Sequence, residues 1–232
     1  MKFIDLSHVI EEGVVTYKGL PAPIICDYWT REESKQWYEE GTSFQMGKIE
    51  MVSNTGTYLD TPFHRYEDGK DLSEILIEQT AMLDAIIVKV PYRQQLSIGK
   101  SHFEGLDLKG KAVLVNTDWD ENWKTDAYYS NNPFLTAEAA EYLVSQGVKL
   151  VGIDSHNIDD VSGKSRPVHT ILLRNEILIV EHLCNMRAIP DDASLKFSAT
   201  PPKVKGMGTF PVRAYVMIYT VGQVSNLSDE VN

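Results

Sequence analysis

The sequence predicts an α/β domain built on a mixed sheet. Short apolar runs rich in β-branched residues recur from end to end, and two segments between them carry the apolar spacing and end signals of helices. No repeat, low-complexity tract or proline-rich linker divides the 232 residues, so a single domain over 1–232 is expected. A chain of this length buries enough surface to fold without disulfides or structural metals.

In chain order, residues 3–6 give the first strand. Residues 13–41 read as a long loop with a helical piece around 31–38. Strands follow at 44–52 and 83–90, with a short helix at 72–79 between them, and then at 112–116. In 136–147, Thr136 suits the N-cap and Glu138 complements the helix dipole. Ala139, Ala140, Leu143 and Val144 form one apolar face before Gly147 ends the helix. A strand at 150–154 follows directly. In 167–175, Pro167 fits the first helical turn and Val168, Ile171 and Leu172 are spaced to face a core; this helix carries His169. The last strands are 177–181 and 212–219, the latter alternating Val212, Ala214, Val216 and Ile218 with Arg213, Tyr215, Met217 and Tyr219.

Composition excludes several functions. Thirty-three acidic against twenty-two basic residues leave a net charge of −11, which repels nucleic acid and anionic membranes. Cys26 and Cys184 are far apart and lack metal or redox spacing, and the opening MKFIDLSHVIEEG is too short and too polar for a signal sequence. No run approaches the roughly 18 apolar residues of a membrane span. A cytoplasmic location is expected. Six histidines are available for chemistry: His8, His64, His102, His156, His169 and His182.

The most informative segment is Ser53-Asn54-Thr55-Gly56-Thr57-Tyr58-Leu59-Asp60-Thr61-Pro62-Phe63-His64. If 54–60 is extended, Asn54, Gly56, Tyr58 and Asp60 share one face, and Pro62 then turns the chain so that His64 returns toward it. Read by itself, the segment is equally a strand end with a satisfied aspartate and a surface histidine. A second constellation changes the weighting: His169 on its helix, and Glu181 closing an apolar strand where a carboxylate must find a partner. Two imidazoles and two carboxylates suffice for a metal site or for general acid–base work.

The segment 54–64 resembles the H-x-G-T-H-x-D-x-P-x-H signature of the cyclase family, typified by bacterial kynurenine formamidase and isatin hydrolase. The resemblance extends to FIDLSHVI, VNTDWDENW, LTAEAAEYLVSQGVKLVGID, HTILLRNEILIVEHLCN and GMGTFPVRA. It implies the swivelling β/β/α fold with a barrel-like mixed sheet, in a homodimer or homotetramer. It also implies Asp60, His169 and Glu181 as metal ligands and His64 as the acid–base residue. The activity implied is hydrolysis of a small carbonyl compound, either an N-formyl aromatic amide, a lactone or a cyclic amide. Two signature histidines are replaced, by Asn54 and Tyr58. An amide oxygen and a phenol with a pKa near 10 are weak replacements for imidazole. The divalent site, for Mn2+, Zn2+ or Mg2+, is therefore expected to be weakened or absent, and this carboxylate-rich set weakens the preference for Zn2+ in favour of Mn2+, Mg2+ or Ca2+. Two alternatives follow: a metal-free lyase, isomerase or cyclase using His64 and Tyr58 as base and acid with Asn54 lining the site, or a small-molecule-binding protein without catalysis.

Other signals carry less. Asp154-Ser155-His156 lacks a nucleophile elbow, and adjacent residues of a strand point apart, so a serine triad is not expected. His8 is expected at most at a pocket rim; His182 is expected to face away from Glu181, and His102 to lie in a loop. Gly206-Met207-Gly208 reads as a turn. Asn226-Leu227-Ser228 is formally a glycosylation sequon, set aside for want of a signal sequence. Among the aromatics, Tyr17 and Trp29 are candidates for substrate binding, with Trp37, Tyr38, Trp119 and Trp123 as further candidates for a pocket wall or an oligomer contact.

Overall fold

The structure is a computed structural model and describes residues 1–219. Its elements in chain order are β1 (Lys2–Asp5), β2 (Ile24–Trp29), α1 (Arg31–Ser34), β3 (Met46–Glu50), β4 (Tyr58–Asp60), β5 (Leu83–Lys89), β6 (Ser97–Ile98), β7 (Ala112–Asn116), β8 (Phe134–Leu135), α2 (Ala137–Ser145), β9 (Leu150–Ile153), α3 (Pro167–Arg174), β10 (Leu178–Glu181), β11 (Ser194–Ser198), β12 (Thr209–Pro211) and β13 (Tyr215–Tyr219). Nine strands form one sheet in the order β1-β13-β11-β5-β7-β9-β10-β4-β12, curled into an open half-barrel. The centre, β5-β7-β9-β10, is parallel and the flanks are antiparallel, so the sheet is mixed and the architecture is the α/β type expected.

The parallel centre explains why its sequence reads as unbroken apolar runs. Every residue of β7, β9 and β10 is buried, because both faces of these strands are covered. Leu114, Leu150, Leu178 and Val180 point to one core with Leu59 and Phe197. Val113, Val115, Val151 and Ile179 point to the other, where Ala139, Ala140 and Leu143 of α2 and Val168 and Leu172 of α3 cover them.

Several boundaries differ from expectation. The 44–52 strand forms only at Met46–Glu50, and it pairs with the unexpected β2 in a separate hairpin whose residues are almost all exposed. The helical piece near 31–38 is one α turn followed by a 3-10 turn, opened by a Thr30–Glu33 capping box. No α-helix forms at 72–79. The Asp71 carboxylate instead accepts from Ser73 N, Ser73 Oγ and Gly206 N, and these local bonds hold the chain in turns until a 3-10 turn at Ile77–Gln79. The final strand begins at Tyr215, while 209–211 pairs on the opposite edge of the sheet. Both cysteines are free. Among the described residues, no helix is long and apolar enough to cross a membrane. The 226–228 sequon lies outside them.

Candidate active site

The site begins with register. β4 pairs with β10 on one side and β12 on the other, which sets Tyr58 opposite Glu181 and Thr209 opposite Asp60. Directly opposed residues on antiparallel strands touch. The Tyr58 hydroxyl accordingly donates to Glu181 Oε2 at 2.7 Å, and the Thr209 hydroxyl donates to Asp60 Oδ1.

The chain before β4 is not extended, contrary to the expected two-residue alternation over 54–60. Gly56 has φ +65°, and a Cβ on it would lie 2.9 Å from Ile10 Cγ1, so the left-handed turn and the close approach both require glycine. After β4, Pro62–His64 forms a 3-10 turn, closed by His64 N donating to Thr61 O at 2.9 Å. Gly208 backs this turn, where a Cβ would stand 2.3 Å from His64 N. The turn brings His64 Nδ1 to 3.6 Å from Asp60 Oδ1 and 2.8 Å from Thr209 Oγ1. Thr209 has one proton and gives it to the ionised Asp60, so it accepts from His64 Nδ1–H. His64 Nε2 is then left with a free lone pair.

His169 is fixed in a parallel way. The Asp159 carboxylate accepts from Val168 N (2.7 Å) and His169 N (3.1 Å), satisfying donors at the start of α3, and from His169 Nδ1 at 2.6 Å. His169 Nε2 consequently faces Asp60 Oδ2 and Glu181 Oε1, each 3.6 Å away. Glu181 Oε1 also accepts from Ile158 N at 2.6 Å. Asp60 Oδ2 is buried without a hydrogen-bond partner.

Both 3.6 Å separations from His169 Nε2 are too long for hydrogen bonds and match the spacing of two ligand atoms that share one cation about 2.0–2.2 Å from each. Ligand atoms of Asp60, His64 and His169 all lie within 4.8 Å of one another, so His64, expected as the acid–base residue, stands beside the atoms that would hold the cation. The electrostatics agree. Burial opposes a charge on His169, yet Glu181, Asp159 and Asp60 together carry its pKa up to about 10. Burial pushes Glu181 up, helped by Asp60. For Asp60, burial is outweighed by His64 and His169, which hold it below the usual carboxylate range. The site calls for a positive charge, and the orphaned Asp60 oxygen with its imidazole and carboxylate neighbours fits a divalent metal.

A cavity of about 230 Å³ opens over these groups, lined by Tyr17, Leu20, Asn54, Tyr58, His64, Arg65, Asn157, Arg166, His169 and Glu181. Trp29 does not line it. That residue lies on the exposed hairpin, its ring against Trp37 and Phe44, because β2 pairs only with β3 and is held away from the main sheet. Trp37 and Tyr38 are exposed, while Trp119 and Trp123 pack around Tyr128 away from the cavity. Tyr58 is buried, and burial and Glu181 hold its phenol well above its ordinary pKa, which makes it a poor acid and no phenolate ligand.

His182 departs from expectation. At φ +57° it breaks the strand alternation, so its ring passes under Tyr58, with Nε2 3.3 Å from the Tyr58 hydroxyl and Nδ1 2.8 Å from that of Tyr128. His8 stacks on Trp123 at 3.9 Å, outside the cavity lining, and His102 sits in a 3-10 turn. Asp154 accepts from Thr117 and Asp118, not from His156. Sequence reasoning missed Asp159, Thr209, Asn157, Arg65 and Arg166. Only Asp159, an acidic residue ahead of a proline-opened helix, left a signal.

The family model described as "Putative cyclase" matches residues 4–160. The chain belongs to this family. The matched span includes Asp60 and His64 but ends before His169 and Glu181. Kynurenine formamidases of Bacillus cereus and Bacillus anthracis are each 29% identical over 217 residues, covering 93% of this chain and 97% of theirs. Among solved structures, a potential metal-dependent hydrolase with cyclase activity is 25% identical, with a TM-score of 0.74 over 93% of this chain and 96% of that one. Isatin hydrolase A from Labrenzia aggregata, 18% identical, shares the cyclase-family fold with a TM-score of 0.80 over 94% of both chains.

Proposed function

We propose that this cyclase-family chain hydrolyses a carbon–nitrogen bond of a small carbonyl compound, as an arylformamidase does, with a divalent metal held by Asp60 and His169 and supported by Glu181. The observation that carries this reading is the buried, unpartnered Asp60 Oδ2 facing Nε2 of His169 beside a half-exposed His64. Similarity to kynurenine formamidases along nearly the whole chain supports the substrate class.

When bound, a divalent ion supplies Lewis acidity, polarising a carbonyl and easing deprotonation of water. The chain's own residues do the rest. His64, its Nδ1–H tied through Thr209 to Asp60, takes a proton from the attacking water at Nε2. The water oxygen bonds to the carbonyl carbon, the carbon–nitrogen bond breaks, and His64 returns the proton to the departing nitrogen. Asn54 offers an amide donor on the cavity wall toward a developing oxyanion. Tyr58 commits its proton to Glu181 and holds that carboxylate in place, which disfavours a metal-free route with Tyr58 as the acid.

The test is amine release from an N-formyl aromatic amide, alongside a lactone and an isatin-like cyclic amide, by protein supplied with Mn2+ or Zn2+ and by chelated protein. Metal-stimulated turnover of the formamide is expected. No turnover of either amide under either condition, whether or not the lactone is opened, refutes the proposal.

A further inference from the structure

The chain has seven arginines. Four are ion-paired: Arg93 with Glu121, Arg174 with Asp68, Arg187 with Asp120 and Arg213 with Asp5. Among the described residues, Arg31, Arg65 and Arg166 have no carboxylate partner within 4.0 Å, and Arg65 and Arg166 both line the cavity that holds His64, His169 and Glu181. In a chain of net charge −11, two guanidinium groups left without carboxylates at one cavity mouth point to an external anion.

Arg166 is held for such a role. Its Nη1 donates to the carbonyls of Asp160 (3.2 Å), Gly163 (3.0 Å) and Ser165 (2.7 Å), which fixes the plane of the half-buried guanidinium at the loop before α3. Beside it stands the Tyr17 hydroxyl, whose pKa burial and Glu181 raise while Arg166 opposes the rise, so the phenol stays protonated and able to donate. Asn157 completes the group. Its Oδ1 accepts from Asp159 N at 2.9 Å, which turns its Nδ2 toward Tyr17. A fixed guanidinium, a phenol and an amide nitrogen are all donors, and they suit a planar carboxylate.

We propose that Arg166, with Tyr17 and Asn157, forms an anion subsite that takes a carboxylate carried by the substrate. The substrate is then a carbonyl compound with a carboxylate at one end and its hydrolysable bond at the other, anchored by this subsite with that bond toward His64. The inference rests on the hydrolase reading for the second end of the molecule, while the subsite itself is tested by binding.

Fluorescence titration with 2-aminobenzoate and with its neutral amide, 2-aminobenzamide, separates the two. The purified protein is expected to bind the acid about tenfold tighter than the amide. That ratio should fall to near one in Arg166→Gln, and in the unmodified protein it should shrink as salt rises from about 20 to 500 mM. A ratio near one in the unmodified protein, a ratio unaltered by Arg166→Gln, or a ratio indifferent to salt overturns the subsite. The salt series stands even if Arg166→Gln does not fold. If the tenfold preference is found in a protein that hydrolyses no aryl formamide, the subsite survives and the hydrolase reading falls.

Discussion

Two groups of histidines in this chain meet opposite fates. His64 and His169 each have a carboxylate oxygen within 3.6 Å, and His169 is drawn up to a pKa of about 10 despite its burial. His8, His156 and His182 sit among Trp123, Tyr128 and one another, with no carboxylate within 4.0 Å among the described residues. Burial pushes His8 and His156 down to about 4, and His182 well below its ordinary value. Tyr58 joins the two groups, its hydroxyl 2.7 Å from Glu181 and 3.3 Å from His182. His169 and His182 are both buried, so for these two the neighbouring charges decide which imidazole can hold a cation and which stays neutral packing.

The largest expected effect lies in the charged group. His64→Ala should lower kcat on an aryl formamide by roughly 10² to 10⁴-fold, the range for a lost general acid–base group, with little change in melting temperature. Undiminished turnover removes His64 from the chemistry.

The neutral group should show itself in acid. With folded-state pKa values of about 4 for His8 and His156 against an unfolded value of 6.5, the unfolded chain takes up protons first. Stability is therefore full above pH 6.5 and is lost as pH falls toward 4, by on the order of 3 kcal/mol for each histidine. Urea unfolding across this range should show the decline, and His156→Gln should flatten it. A profile unaltered by that substitution breaks the contrast between the groups.

Two smaller effects concern how the charged group is held. Asp159→Asn should weaken zinc binding by about 10 to 100-fold, read by calorimetric titration, because the carboxylate that fixes the His169 tautomer is lost. Thr209→Val removes the hydroxyl between Asp60 and His64. It should lower kcat roughly tenfold, with smaller change in KM, since His64 loses only its orientation.

The sequence made legible what depends on pattern. β7, β9 and β10 appear as apolar runs because a parallel centre buries both faces, and α2 and α3 carry their own spacing and end signals. Asp60, His64, His169 and Glu181 were identifiable by residue type, by their position at strand ends or on a short helix, and by resemblance to the signature. What escaped depends on long-range pairing or on backbone that breaks a period. Thr209 reaches Asp60 only through the β4–β12 register, 149 residues away in sequence. His182 reaches Tyr58 only because φ turns positive one residue after a strand. The β2–β3 hairpin has little burial to impose an alternating pattern, so β2 read as loop.

The most direct measurement is equilibrium dialysis against Zn2+ and Mn2+ for the unmodified protein and for Asp60→Asn. Asp60 supplies the one buried oxygen in the cluster with no other partner. About one ion per chain is expected on the unmodified protein and a loss of most of that binding in the variant. No binding by the unmodified protein, or equal binding by both, contradicts a metal held at Asp60 and His169.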